Sequence, residues 1–358
     1  MTIMSLQSIG WNERFESAFA PHRGQGLEPA RVVREERGRY LLLCDDRESA
    51  GELAGRLRHE ARSRADLPAV GDWVAVRPGP SLAVIVGILP RSSAFLRKVA
   101  GEEAAEQVVA ANVDTVFLMT GLDGDFNARR LERYLTAAWD SGAVPVVVLN
   151  KLDLAEDGDA RIAEVEALAM GTPVVAVSAL ERRGLDGLLP WLAPGRTVAL
   201  LGSSGVGKST LVNALLGEER QATGAVREDD SRGRHTTTHR ELVPLPGGAL
   251  LLDTPGMREL QLWGDEAGLE EAFADIAALA SSCRFRDCSH AGEPECAVRA
   301  AVAGGALDEG RLASWHKLQR ELRRLATRQD ARARAAEQAR WKEITRSMKH
   351  HPKAGRWR

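Results

Sequence analysis

Short apolar runs separated by charged or Gly/Pro turns fill the chain between residue 31 and about residue 91. The five runs are RVVR, RYLLLC, GELAGRL, GDWVAV and SLAVIVGIL. Runs of this length with turn residues between them predict β-strands, and five such strands predict a small barrel of the OB type. Barrels of this type often bind RNA or single strands through one face and its loops; the alternative is a purely structural module.

The pattern is different on either side of these runs. Residues 1–29 show weak periodicity and several Gly and Pro residues, which predicts a loosely ordered N-terminal extension. After residue 100, apolar strands alternate with amphipathic helices in the runs VDTVFLMT, NARRLERYLTAAWDS, AVPVVVLN, DARIAEVEALA, TPVVAVS and TVALLG. This alternation predicts a parallel sheet covered by helices on both faces, a fold on which nucleotide sites are common.

These changes of pattern predict a multidomain protein. Its predicted parts are an N-terminal extension (1–29), a five-stranded OB-type β barrel (30–98), an α/β domain (99–265) and a helical C-terminal domain (266–358). In the last part, Trp315, Leu318, Leu322 and Leu325 recur at helical spacing among arginines. With 358 residues, of which 44% are apolar, the chain is long enough for two or three domains.

A glycine-rich segment carries the clearest chemical signature. GSSGVGKS at 202–209 fits the pattern G-x-x-x-x-G-K-[ST], follows an apolar strand and precedes the helical run STLVNALL. Its backbone N–H groups and the helix N-terminus would cradle phosphate oxygens, Lys208 would reach the outer phosphates, and Ser209 would ligate magnesium. The alternative is a Gly-rich turn with a surface lysine, which both flanks disfavour. The candidate phosphate-binding residues are Gly202, Ser203, Ser204, Gly205, Val206, Gly207, Lys208, Ser209 and Thr210.

A second motif, NKLD at 150–153, ends the strand AVPVVVL. Asp153 would accept hydrogen bonds from the N1 and N2 donors of guanine, a pair that adenine does not offer. Asn150 would brace the loop and Lys151 would cover the base. Taken alone, the tetrapeptide also fits a polar strand end followed by a helix cap. With a second loop after TPVVAV, the candidate base-binding residues are Asn150, Lys151, Leu152, Asp153, Ser178 and Ala179.

Two further segments have the character of nucleotide switches. DTPG at 253–256 follows the strand ALLLD, so Asp253 would lie near magnesium and the Gly256 amide would face a γ-phosphate. GRHTTT at 233–238 offers Thr237 as a further magnesium ligand. Position 257 is Met rather than the water-orienting Gln of many switch GTPases, and His235 is the candidate replacement; the alternative is a solvated loop histidine. The candidate catalytic residues are Lys208, His235 and Gly256.

Three of the four cysteines crowd into fourteen positions, with a histidine among them. Cys283, Cys288, His290 and Cys296 supply three thiolates and an imidazole, a ligand set that suits tetrahedral zinc in a closed structural site. Catalytic zinc is disfavoured because no ligand position is left for water. The alternative is a group of unrelated reduced cysteines.

The order of the motifs is itself informative. NKLD precedes the phosphate loop, whereas a usual small GTPase has the opposite order, so the predicted α/β P-loop GTPase domain is circularly permuted. With a barrel before it and a Cys/His cluster after it, the chain resembles the ribosome small-subunit-dependent GTPase A family, called RsgA or YjeQ. The motifs that carry the resemblance, over roughly residues 30–330, are GDWVAV, NKLD, GSSGVGKST, GRHTTT, DTPGM and CRFRDCSHAGEPEC.

The resemblance implies an activity and a set of partners. It implies GTP hydrolysis stimulated by the small (30S) ribosomal subunit during its late maturation, with GTP as substrate, Mg²⁺, one structural Zn²⁺ and contacts to 16S rRNA. An alternative is an RNA-binding scaffold that holds nucleotide without significant turnover, and a third reading is a GTPase that acts on tRNA or membranes. Assays of GTP hydrolysis and of cosedimentation with 30S subunits separate these readings.

Charge and targeting signals refine this picture. The formal charge of -2 argues against nucleic acid, but residues 311–358 hold 15 Lys/Arg against 4 Asp/Glu, a basic arm that favours rRNA contact over a merely solvated helix. Its arginines include those at 320, 323, 324, 328, 332, 334 and 340. No stretch approaches the roughly 20 apolar residues of a membrane span, which predicts a cytoplasmic protein without membrane contact. We further expect a monomer.

The permuted order also suggests a mechanical hypothesis. The strand that ends in DTPG leads directly into the cysteine-containing domain, so the nucleotide state would move that domain if GTP and GDP change its contacts.

Overall fold

The computed structural model describes residues 5–36, 38–98, 106–123, 126–155, 157–217, 240–253 and 267–325. The strands are β1 (Glu28–Glu36), β2 (Arg39–Cys44), β3 (Arg47–Leu53), β4 (Trp73–Arg77), β5 (Ala83–Ile88), β6 (Ala94–Lys98), β7 (Glu106–Ala111), β8 (Thr115–Gly121), β9 (Val144–Asn150), β10 (Val174–Ala176), β11 (Thr197–Gly202), β12 (Glu241–Pro244) and β13 (Leu250–Asp253). The helices are α1 (Glu13–Phe19), α2 (Gly55–Glu60), α3 (Ala128–Asp140), α4 (Gly158–Leu168), α5 (Lys208–Leu216), α6 (Ala267–Ala272), α7 (Ala274–Ala280), α8 (Ala297–Ala303) and α9 (residues 309–325).

The first five strands form the predicted OB-type barrel. Their order is β1, β2, β3, β5 and β4, and β4 pairs back onto β1 to close the barrel. Only β3 and β5 are parallel neighbours within it. Alternate side chains such as Val32, Leu42 and Ile85 fill the interior. The run GELAGRL is partly misassigned as a strand, because β3 ends at Leu53 and Gly55 begins α2.

The prediction of a loosely ordered N-terminal extension is wrong for the described residues 5–29. Trp11, Phe15 and Phe19 are buried at a spacing of four residues, and Trp11 and Phe15 pack on Trp73 of the barrel at ring distances of 4.7 and 5.6 Å. Burial of each such side chain stabilises the fold by roughly 2 kcal/mol. The Asn12 carboxamide caps α1. The glycines of this segment occupy left-handed turns, so they mark bends in an ordered chain.

A six-stranded sheet forms the centre of the molecule, in the order β10, β9, β8, β11, β13 and β12. All neighbours are parallel except β12, which runs antiparallel to β13. The predicted α/β architecture is therefore confirmed. Because Gly202 is level with Met119 and Gly121 with Asn150, the carboxyl ends of β11, β8 and β9 meet at one edge. The last strand in this order, β12, pairs with β1 of the barrel through Glu241 and Arg34.

A separate antiparallel pair, β6 and β7, follows the barrel and precedes the central sheet along the chain. It joins residues on both sides of the predicted boundary between 98 and 99, and the domain boundaries stay predictions. The turn at Gly71 of the barrel touches the backbone of Ala111 at the end of β7, where a Cβ on Gly71 would collide. Since Gly71 also has φ of +94°, glycine is required there for two reasons.

The C-terminal helices pack on α3 of the central domain. Gly268 of α6 lies so close to α3 that a Cβ would come within 2.8 Å of the Thr136 carbonyl oxygen. Beside it, the buried Arg311 forms ion pairs with Asp275, at 2.6 Å, and with the fully buried Glu132, at 3.2 Å. Apolar contact and buried charge together hold this part against the sheet domain. Within the described ranges, no helix is both long and apolar enough to cross a membrane.

Candidate functional site

The glycine-rich loop lies between β11 and α5, as the sequence predicts. Two of its glycines are required by geometry. Gly207 has φ of +95° and lies directly against the Asn150 amide, and a Cβ on Gly202 would lie 2.6 Å from the Met119 carbonyl oxygen. Gly205 also adopts a left-handed conformation. The backbone can therefore make the tight turn that directs N–H groups into an anion site.

Lys208 lies over this loop. Its Nζ donates hydrogen bonds to the carbonyl oxygens of Gly202, at 2.8 Å, and Ser203, at 2.5 Å. The ammonium group thus lies near the first turn of α5. There the positive end of the helix dipole adds to the positive potential of the lysine, and both attract an anion. Ser209, the next residue, lies in that same turn.

Asn150 connects the phosphate loop with both candidate base loops. Its Nδ2 donates to the Val206 carbonyl oxygen at 2.9 Å, and its Oδ1 accepts from the Ala179 N–H at 3.0 Å. Asn150 and Ala179 are both buried. Their hydrogen bonds are therefore shielded from water and fix the distance between the loops. The structure thus brings the predicted phosphate and base residues into one site.

Asp153 is oriented by the second base loop. The Ser178 hydroxyl donates to Asp153 Oδ1 at 2.5 Å, and the same hydroxyl accepts from the Glu181 N–H at 3.1 Å. The Leu152 N–H donates to the Val177 carbonyl oxygen at 3.1 Å, which ties NKLD to the end of the neighbouring strand. The carboxylate is therefore held in a defined direction, as selective base recognition requires.

Lys151 has a partner that the sequence did not reveal. Its backbone is left-handed, with φ of +66°, and its Nζ lies 2.5 Å from Asp123 Oδ2. Asp123 follows the end of β8 at the same sheet edge. The sequence does contain one indication that Asp123 belongs to the site. It is an acidic residue just after a buried strand, and ligand sites of parallel sheets lie at such positions.

Several predicted residues fall beyond the described ranges. His235, Thr237 and Gly256 lie outside the described residues. Asp253 ends β13, the parallel neighbour of β11, but its side chain is also outside the described part. The main chain of Asp253 and the first turn of α5 with Ser209 therefore lie at the same sheet edge. Carboxylate and hydroxyl oxygens suit magnesium, so the residue types fit this ion.

Cys283, Cys288, His290 and Cys296 form one compact cluster, with all ligand atoms within 4.8 Å of one another. The Cys283 and Cys296 sulfurs are 3.9 Å apart, and His290 Nδ1 lies 3.7 and 3.4 Å from them. Bonds of 2.0 to 2.3 Å to tetrahedral zinc imply ligand separations of about 3.5 to 3.8 Å. The donor set and spacing are therefore compatible with zinc.

The loop that carries the cluster is organised by Glu293, which the sequence did not single out. Its carboxylate accepts hydrogen bonds from the N–H groups of Ser289, Ala291 and Gly292 at 2.8 to 3.1 Å. The Ser289 hydroxyl and the N–H groups of Gly292, Glu293 and Ser289 hold the pKa of Glu293 well below its usual range. Burial lowers the pKa of His290, which favours the neutral imidazole that binds zinc.

Fold and site together define the class: a circularly permuted P-loop GTPase with an N-terminal barrel and a C-terminal Cys₃His cluster. The family model for the RsgA GTPase matches residues 88–263. The chain belongs to the RsgA GTPase family, so the resemblance seen in the motifs is confirmed.

Curated relatives support this assignment over the whole chain. The small ribosomal subunit biogenesis GTPase RsgA of Opitutus terrae is 53% identical over 99% of this chain and 100% of its own length. The protein of the same name from Syntrophotalea carbinolica is 46% identical over 99% and 98%.

Solved structures support the fold. YjeQ from Thermotoga maritima is similar with a TM-score of 0.64 and 27% identity, covering 83% of this chain and 98% of that one. YloQ, a circularly permuted GTPase, is similar with a TM-score of 0.61 and 24% identity, covering 84% and 97%.

Proposed function

We propose that this chain binds and hydrolyses GTP in the biogenesis of the small ribosomal subunit, the role that the names of its relatives give. The observation that carries the proposal is the double contact of Asn150, which joins the phosphate loop at Val206 to the base loop at Ala179. One buried side chain thus holds together the loops that recognise the two ends of a guanine nucleotide.

The phosphate loop would provide most of the binding for the triphosphate. Its backbone N–H groups would contact phosphate oxygens, and Lys208 would exchange the carbonyl oxygens of Gly202 and Ser203 for the β- and γ-phosphates. We place Mg²⁺ at Ser209, Thr237 and Asp253; when bound, this ion offsets negative charge on the phosphate oxygens. At the other end of the nucleotide, Asp153 would accept from guanine N1 and N2 while Lys151 covers the base.

His235 is our candidate for the residue that orients the attacking water, with the Gly256 N–H facing the γ-phosphate. Met257 lacks the hydrogen-bonding groups for that task. We expect His235→Ala to leave GTP affinity nearly intact and to lower subunit-stimulated turnover by about 100-fold, much more than the basal rate. Equal loss of both rates contradicts this role, and no loss of either favours a solvated loop histidine.

The Cys₃His cluster would hold one structural Zn²⁺, and the basic arm would contact 16S rRNA. Arg320, Arg323 and Arg324 are exposed on α9 and offer phosphate contacts, whereas Arg311, the first residue of the arm, is buried in ion pairs. We propose that the protein acts as a monomer in the cytoplasm, where it meets its ribosomal partner.

The decisive experiment measures GTP hydrolysis by the purified protein alone and with 30S subunits, together with cosedimentation in GDP and in a non-hydrolysable GTP analogue. Strong stimulation and nucleotide-dependent binding support the proposal. Tight GTP binding without turnover would instead favour an RNA-binding scaffold that is stabilised by nucleotide.

A further inference from the structure

A polar cleft of about 390 Å³ lies where the N-terminal segment, the barrel and the central sheet meet. Arg14 of the N-terminal segment, Arg31 of the barrel, and Asp114 and Arg196 of the sheet domain are among its lining residues. Thr197, which also lines it, begins β11, whose opposite end carries the phosphate loop. The cleft is therefore distinct from the candidate GTP site. It lies at the amino-terminal end of β11, whereas the candidate GTP site lies at the carboxyl-terminal end.

Arg31 forms the floor of this cleft and is fully buried. Its guanidinium donates to the Thr197 hydroxyl at 2.7 Å, to the carbonyl oxygens of Gly71 and Asn112 at 3.3 Å, and to the carbonyl oxygen of Ile9. All four acceptors are uncharged. Burial lowers the pKa of Arg31 to about 10, and the nearby carboxylates of Asp114 and Asp72 offset only part of this effect.

Two more guanidinium groups line the cleft. Arg14 donates to the carbonyl oxygen of Arg91 at 2.8 Å, which is again a neutral acceptor. Arg196 lies 3.0 Å from Asp114, and that carboxylate also accepts from the Thr197 N–H at 2.8 Å. Three cations and one carboxylate thus surround the cleft, so its electrostatic potential favours an anion.

We propose that this cleft binds a small anion that carries a phosphate or carboxylate group. The volume lies in the range of small-molecule sites, and guanidinium forks match the geometry of both oxyanions. A bound anion would add to the partial compensation that Asp114 and Asp72 give to the buried charge of Arg31. Because the ligand would contact all three parts of the molecule, it would also stabilise their arrangement.

The test titrates the GDP-saturated protein with inorganic phosphate and, separately, with succinate by calorimetry, while chloride holds ionic strength constant. Saturating GDP fills the α- and β-phosphate positions of the phosphate loop, and the cleft variants below separate binding in the cleft from binding of phosphate beside GDP. Binding of phosphate alone, of succinate alone, or of both identifies the oxyanion that is preferred. Absence of saturable binding of either probe overturns the proposal.

Variants locate the binding. Arg14→Gln combined with Arg196→Gln should weaken it by about tenfold or more, since two charge-assisted contacts are lost. Arg56→Gln, a matched change at an exposed arginine of α2, should not alter it. If the double variant loses GDP binding and so fails to fold, a second variant, Gln7→Glu, tests the site instead. Gln7 is an exposed residue of the cleft wall, and an added negative charge there should weaken binding of the anion. Unchanged affinity in the folded cleft variants also overturns the proposal.

Discussion

A single buried amide, that of Asn150, determines how the candidate nucleotide site is assembled. Its two hydrogen bonds, of 2.9 and 3.0 Å, require that Val206 and Ala179 approach from different elements. The close fit of Gly207 against the same amide explains why the loop tolerates no side chain there. At the residue scale, the arrangement of the candidate GTP-binding residues therefore depends on hydrogen bonds and close packing among neutral groups.

Lys208 supplies the first test at this scale. We expect Lys208→Ala to lower GTP turnover by about 100-fold or more and to weaken GTP binding, because the cation opposite the outer phosphates is lost. Lys317→Ala removes the same charge from an exposed position of α9 and should leave basal turnover unchanged. Kinetics with circular dichroism as a check on folding provide the measurement; normal turnover in folded Lys208→Ala contradicts the assignment.

Base selectivity rests on Asp153. In Asp153→Asn the side chain offers an N–H donor to the xanthine carbonyl that stands where guanine has its amino group, so preference should move from GTP toward xanthosine triphosphate by about tenfold or more. Asp157→Asn is a matched control, since the Asp157 side chain caps nothing at the start of α4. Competition binding with both nucleotides measures the change, and an unaltered preference for GTP would remove Asp153 from the base site.

At the scale of elements, the loop between α7 and α8 that carries the Cys₃His cluster is held by its candidate metal-binding side chains more than by an apolar core of its own. It contains few regular residues between α7 and α8, and Glu293 satisfies several of its backbone N–H groups. Cys296 also caps α8 through its sulfur, which accepts from the Arg299 N–H at 3.4 Å. Loss of one ligand should therefore unfold this region locally.

We expect Cys283→Ser to release zinc and to lower amide protection in α7 and α8, while α5 stays protected, because a closed structural site contributes folding free energy locally. Metal analysis and hydrogen exchange measure both effects. Cys44→Ala, which changes a cysteine buried in the barrel, should retain the metal. Wild-type protein that carries no zinc when purified without chelators would refute the structural zinc.

For the molecule as a whole, the contact between α3 and the C-terminal helices limits what can move. Glu132 is fully buried, and Arg311 and Arg129 both donate to its Oε1. Separation of the C-terminal part from α3 would remove Arg311 from that carboxylate and leave it only Arg129, which belongs to α3 itself. If nucleotide exchange moves the C-terminal part, as the order of motifs suggests, we expect α3 to move with it.

Arg311→Gln tests this interface. It removes one of the two arginine partners of the buried Glu132 and the ion-pair partner of Asp275, so we expect it to reduce the free energy of unfolding by about 3 kcal/mol. Adding Glu132→Gln should recover part of the loss, since the buried negative charge is then removed. Arg133→Gln, which breaks a half-exposed pair with Glu321, should cost only about 1 kcal/mol or less. Urea denaturation measures all three, and equal effects of Arg311→Gln and Arg133→Gln would contradict a buried charge network.

The sequence by itself determined the barrel, the alternating sheet domain, the permuted order of motifs and the cysteine cluster, because each depends on local patterns or on short spacings. It did not reveal that Trp11, Phe15 and Phe19 pack on Trp73, since nothing in a Gly- and Pro-containing segment identifies its distant partner. The pairing of Asp123 with Lys151 depends on which strands become neighbours. Likewise, only the tertiary structure brought Arg14, Arg31 and Arg196 together around one cleft, because these residues come from three different parts of the chain.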